Sequence, residues 1–253
     1  MWYSILKYGL VKPLVVLLFR PRVEGAENIP ESGPVVLAAN HNSSGETLML
    51  PAMVRRQMTF PAKKELFELP GIKGWFVRTF LNLVGQVPMD RSGGRASINA
   101  LGPIGEVLEN GGMVGIFPEG SRSPDGRLYK GHTGVARLAL QENVCVVPVA
   151  LINTQWVRGR FGIPTMKYPR IVFGKPIRFS EYSGQQNSHQ VLRWITNEVI
   201  GSIQEILGNQ YVDVYVNRVK YGDLKNQDLR EFMLDYPNAG VEKPATTAEL
   251  ESD

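Results

Sequence analysis

Three stretches, Pro34–Ala39, Met113–Phe117 and Val144–Ile152, run apolar without polar residues in alternation. A strand with one wet face alternates apolar and polar positions, so runs of this kind belong to strands covered on both sides. Around them lie segments at helical spacing: Ile72–Leu83, Ala96–Leu108, Gly134–Leu140 and Val191–Leu207. Shorter strand candidates are Met58–Phe60, Gln86–Met89, Tyr168–Phe173 and Pro176–Phe179. This alternation predicts an α/β fold with a mostly parallel central sheet and helices on both faces. Gly111-Gly112 should stop the Ala96–Leu108 helix, and Pro103 should kink it.

The two ends read differently. Trp2, Tyr3, Ile5, Leu6, Leu10 and Val11 precede the run Pro13–Phe19, with Lys7 and Lys12 interrupting it and Arg20 and Arg22 closing it. The run is shorter than the roughly 20 apolar residues needed to cross a membrane, and no small-residue cleavage site follows. Aromatic and lysine residues around an apolar face suit residues 1–22 lying in the membrane interface. Docking on the protein's own core is the other reading. Pro13 should break or kink the segment. Residues 23–207 form the main domain, and 208–253 a C-terminal extension whose end, from Pro237, carries too little apolar surface to fold.

Charge is unevenly spread. Between Val54 and Arg95 there are eight basic and three acidic residues, and from Gly222 onward three basic and eight acidic. The positive field therefore gathers in Val54–Arg95, where an anionic ligand or surface is attracted. The basic residues are scattered and no aromatic platform interleaves them, which argues against nucleic acid. One cysteine, Cys145, excludes an intrachain disulfide and fits a reducing compartment. Three distant histidines and that cysteine give no metal-ligand spacing.

The chemistry concentrates in Asn40-His41-Asn42-Ser43-Ser44-Gly45-Glu46, where a strand ends and a helix begins. Glu46 in the first helical turn is favoured as a carboxylate by the helix dipole and free main-chain N–H groups. Beside imidazole it can fix the Nδ1–H tautomer and leave Nε2 free to take a proton. Ser43-x-x-Glu46 is equally a capping box, in which the glutamate merely closes the helix end. His41, Lys63, Arg91 and Glu119 each follow a strand candidate, and ligands of open α/β sheets bind beyond the carboxyl ends of strands.

His41-x4-Glu46, Gly85-x-x-Pro88-x-x-Arg91, Phe117-Pro118-Glu119-Gly120-Ser121-Arg122-Ser123 and Val144–Val149 stand in the order and spacing of the four blocks of the glycerolipid acyltransferases. The chain resembles 1-acylglycerol-3-phosphate acyltransferases of the bacterial PlsC type over roughly Val35–Phe179. It departs from them in carrying Glu46 where the family usually has aspartate.

The resemblance implies acyl transfer from acyl-CoA or acyl-carrier protein to a lysophospholipid hydroxyl, lysophosphatidate first. His41 would be the general base and Glu46 its orienter, without a covalent acyl-enzyme. Arg91 and Arg122 take the positions that bind the acceptor's phosphate, with Lys63 and Lys64 contributing. Glu119 would contact the glycerol hydroxyl or tie down Arg122, and Gly120 would supply a tight turn. No resident cofactor or metal is implied, and the site of action would be the cytoplasmic face of the cell membrane, as a peripheral or monotopic protein. Another lysophospholipid or a glycolipid is an alternative acceptor. Outside this class stand a hydrolase and a non-catalytic lipid-binding module. The oligomeric state is not legible.

Overall fold

The computed structural model describes residues 2–83, 85–89, 102–159, 162 and 164–252. A seven-stranded sheet runs through the middle: β1 (Arg22–Glu24), β2 (Val35–Ala39), β3 (Met58–Lys63), β4 (Gln86–Met89), β5 (Met113–Ile116), β7 (Cys145–Ile152) and β10 (Arg170–Phe173). The small strands β6 (Leu128–Tyr129), β8 (Val157–Arg158) and β9 (Pro164–Thr165) lie outside it. The strand order is β1-β10-β7-β2-β5-β3-β4. Its pairings are parallel except for β10 against β7, so β1 and β10 run against the other five strands.

The pleat explains why the central runs are unbroken. Val35, Leu37 and Ala39 face one core, with Met49, Leu50, Cys145, Val147 and Val149. Val36 and Ala38 face the other, with Ile104, Leu108, Val146, Ile195 and Val199. Every β2 residue is fully buried. A side chain of leucine size held this way contributes about 1.5–3 kcal/mol relative to exposure.

The helices are α1 (Trp2–Leu6), α2 (Lys12–Phe19), α3 (Glu46–Met53), α4 (Gly71–Leu83), α5 (Gly102–Glu109), α6 (Gly134–Ala139) and α7 (His189–Leu207), followed by α8 (Val216–Tyr221) and α9 (Thr247–Leu250). Helix α7 packs on β7 and β2. Its first turn is capped by the Ser188 hydroxyl, which accepts from the Val191 N–H at 3.3 Å, and Gly208 ends it at φ +68.

Several expectations are corrected. Pro103 falls in the first turn of α5, where its missing N–H has no helical partner to lose, so it starts the helix instead of kinking it. Residues 96–101 lie outside the described residues. Pro176–Phe179 is not a strand; it makes one bridge, Ile177 to Val146. The end beyond Pro237 is folded back on α7 by side-chain hydrogen bonds. Asn197 donates to the Pro237 carbonyl at 2.9 Å and Asn238 to Glu198 at 2.7 Å, while a Thr246–Glu249 capping box opens α9. Polar contacts with a long helix hold it where apolar burial is scarce.

At the other end, a π-helical turn, Lys7–Val11, joins α1 to α2. The wider turn closes through the Lys12 N–H on the Lys7 carbonyl and carries the helix into Pro13, which lacks a donor. Val15 is buried in the core that α3 shares, and the Lys7 ammonium donates to the Arg56 carbonyl at 3.1 Å. The opposite side exposes Leu10, Leu14, Leu17 and Leu18. Among the described residues no helix is long and apolar enough to cross a membrane.

Candidate active site

Asn40 fixes the carboxyl end of β2. Buried, it donates to the Leu151 carbonyl at 3.0 Å and accepts the Leu151 N–H at 2.7 Å, locking β2 to β7 just before His41. The His41 carbonyl accepts the Ser123 N–H at 2.7 Å, and its ring stacks on Phe117 at 4.0 Å and 14°. Two turns, one after β2 and one after β5, are thereby bound together.

Glu46 reaches back from the start of α3. Its Oε2 lies 2.7 Å from His41 Nδ1, and both oxygens accept the Asn42 N–H, at 3.1 and 3.0 Å. The Thr154 hydroxyl, just beyond β7, donates to Oε1. The carboxyl is wholly buried, and these donors replace the water it has lost. The capping-box reading does not hold. Gly45 caps α3 with no side-chain hydrogen bond, and the Ser43 hydroxyl accepts the Gly45 N–H instead. With Nδ1 engaged, Nε2 is the nitrogen left for a substrate.

Glu119 corrects the sequence reading. It is 1 % exposed and turned inward, accepting the His41 N–H at 2.9 Å on Oε1 and the Tyr129 N–H at 3.1 Å on Oε2. Both oxygens therefore serve the main chain, and neither glycerol nor Arg122 is its partner. Burial pushes its carboxyl up to about 8, with the two amides pulling the other way. Gly120 makes the expected tight turn at φ +71, so close to His132 that a Cβ would meet the ring at 2.8 Å.

Of the basic candidates, Arg122 is exposed at the rim of a cleft of about 1100 Å³ that His41 also lines. Lys64 does not line it; it pairs with Glu68, four positions on, at 3.3 Å on the surface. Lys63 ends β3, and Arg91 lies outside the described residues. Thr154 escaped the sequence reading because its run looks like pure core up to Ile152. The available signal was position: it follows the carboxyl end of a strand paired with β2. His132, whose sequence context suits an ordinary surface or capping residue, is exposed, and it lines the cleft with its ring stacked on Tyr215 at 4.6 Å.

The family model for acyltransferases matches residues 20–152, more than half of the chain. The chain belongs to the acyltransferase family. A chloroplastic 1-acyl-sn-glycerol-3-phosphate acyltransferase of Arabidopsis thaliana is 33% identical over 64% of this chain and 45% of its own length. The enzyme of that name from Pseudomonas aeruginosa is 36% identical over 54% of this chain and 51% of its own. The chain thus spans about half the length of these curated relatives. The crystal structure of the 1-acyl-sn-glycerophosphate acyltransferase PlsC from Thermotoga maritima superposes with a TM-score of 0.54 at 26% identity, covering 76% of each chain. All four sequence blocks, from His41 to Val149, fall inside the matched region.

Proposed function

We propose that the protein transfers an acyl group from a thioester to the free hydroxyl of a lysophospholipid, lysophosphatidate first, in phospholipid synthesis. The observation that carries this reading is the His41 Nδ1–Glu46 contact at 2.7 Å beside an open cleft. Nε2 takes the proton of the acceptor hydroxyl as its oxygen attacks the thioester carbonyl. Glu46 stabilises the imidazolium that forms. The tetrahedral intermediate then collapses, the C–S bond breaks, and the imidazolium returns its proton to the leaving thiolate. No enzyme nucleophile is required, since the thioester is already activated. Cys145 is buried within β7, away from the cleft.

Arg122, as a planar fork at the cleft rim, suits the acceptor's phosphate, and Arg91 and Lys63 join it in this reading. The acyl chain fits the wall of Leu48, Phe60, Leu66 and Phe80. The exposed apolar faces of α2 and α4 rest on the cytoplasmic surface of the membrane, where both the acceptor and the product reside.

The test is His41→Ala in purified protein, assayed for diacyl product from acyl-CoA and lysophosphatidate. We expect turnover to vanish with an unchanged unfolding midpoint. Near-parental product formation would refute the general-base assignment.

A further inference from the structure

The cleft has two halves of opposite character. Leu6, Leu48, Phe60, Leu66 and Phe80 line one, where the ammonium of Lys7 is turned onto the Arg56 carbonyl; Arg122, Arg137, Arg193, Lys220 and Tyr221 line the other. Among the described residues that line it there is no carboxylate. Elsewhere on the surface Arg127, Lys130, Arg170, Arg218 and Arg230 are each paired with one.

Among the described residues, Arg137, Arg193 and Lys220 hydrogen-bond only neutral groups. Arg137 donates to the Gln186 carbonyl at 3.1 Å, and Arg193 to the Gly131 carbonyl at 2.7 Å and the Tyr215 hydroxyl at 2.9 Å. Lys220 donates to the Ser121 hydroxyl at 3.2 Å and the Arg122 carbonyl at 3.1 Å. Uncompensated positive charge on concave walls draws a polyanion, because the low-dielectric walls focus its field.

This half begins where the His41 turn ends. Phe117 stacks on His41, Gly120 abuts His132, and His132 stacks on the Tyr215 that Arg193 holds. A thioester whose carbonyl carbon meets the acceptor oxygen held at Nε2 sends its acyl chain and its carrier away on different sides. With the chain in the apolar half, the carrier leaves through the basic half.

We infer that the face formed by Arg137, Arg193, Lys220 and Tyr221 binds the phosphorylated nucleotide of a coenzyme A thioester, an inference that rests on the acyl-transfer reading above. Three cations answer the pyrophosphate and the ribose phosphate. The Tyr221 ring, 77 % exposed with the Lys220 ammonium 5.4 Å from its centroid, offers a stacking face for adenine. A carrier protein would bring one phosphate into the cleft and leave most of this charge unanswered. In the acyl-transfer reading the acceptor's phosphate goes to Arg122, which stands at the cleft rim and is not one of the four residues of this face.

The experiment uses the full chain in detergent micelles, comparing parent with Arg137→Ala and Tyr221→Ala. The KM for palmitoyl-CoA should rise about tenfold in Arg137→Ala and about threefold in Tyr221→Ala, with the lysophosphatidate KM within about twofold of the parent. The parent's preference for palmitoyl-CoA over S-palmitoyl-pantetheine, which lacks the nucleotide, should fall by the same factors. A rise in the lysophosphatidate KM instead would give the face to the acceptor. A loss confined to acyl-carrier-protein donors would give it to a protein carrier, and unchanged constants would make it a solvated rim; each overturns the inference. If the parent transfers no acyl group from any donor, the enzymatic reading fails, and calorimetric titration with coenzyme A decides the subsite alone. Binding weakened about tenfold by Arg137→Ala upholds it, and no binding by the parent overturns it.

Discussion

The buried carboxyl of Glu119 holds the main-chain N–H of His41 at 2.9 Å, so the turn after β5 sets the position of the base after β2. Its second oxygen holds the main-chain N–H of Tyr129, at the end of β6, at 3.1 Å. Glu119→Gln keeps one acceptor and turns an amide NH2 toward a main-chain N–H. We expect a loss of about 1–3 kcal/mol, read as a lower urea midpoint. The pH dependence has a defined sign. The folded carboxyl is raised to about 8 from an unfolded value of 4.5, so between those values only the folded state keeps the proton. The stability this group contributes is full below the unfolded value and is lost as pH rises through the folded one. The parent's urea midpoint should therefore fall from pH 5 to 8, and Glu119→Gln should flatten that fall; parallel curves would show that another group sets it.

Thr154 completes the orientation of Glu46 from the far side. Removing its hydroxyl leaves Glu46 Oε1 one donor short in a wholly buried place. In Thr154→Val kcat/KM should fall about tenfold at an unchanged unfolding midpoint. Thr154→Ser, which keeps the donor, should restore it. Parental kcat/KM in Thr154→Val would reduce Thr154 to packing.

What the sequence made legible here is what periodicity and spacing encode. Unbroken apolar runs announced β2, β5 and β7, and the turn after β2 announced the His41–Glu46 pair. The reversed direction of β10 and β1 was hidden, because side-chain alternation is blind to strand direction. Glu119 was misread for a related reason: a glutamate in a turn gives no sign whether it faces solvent or buried amides. Thr154 lies 108 positions from Glu46 in the chain, a separation that only the pairing of β2 with β7 closes.

Glu46 carries four donor contacts to its two oxygens, from His41, Asn42 (counted on both) and Thr154. Glu46→Gln preserves shape but presents an NH2 to one set of donors and removes the charge that holds the imidazolium. Activity should drop roughly a thousandfold. Glu46→Asp keeps the charge but retracts it by one methylene, so it cannot reach His41 and Thr154 together, and an intermediate loss is expected. Steady-state kinetics at saturating substrates separates the two; equal and small losses would return Glu46 to a helix-start role.

The apolar surface sets the last prediction. Leu17 on α2 is 71 % exposed, and Trp75 and Phe76 on α4 are 53 % and 62 % exposed, while Leu6 and Val11 beside α2 and Phe80 on α4 line the same cleft. A lipid surface covering both faces would bring the cleft mouth to the acceptor. Burying a leucine contributes about 1.5–3 kcal/mol, so Leu17→Asp should weaken partitioning into anionic phospholipid vesicles by at least about tenfold in a sedimentation assay. Trp75→Ala should weaken it less. Turnover of a short-chain, freely soluble lysophosphatidate should change little in either variant, since neither residue touches His41. Equal vesicle partitioning by parent and both variants would mean that these faces meet protein instead of lipid, and the membrane orientation proposed for the cleft would fall with it.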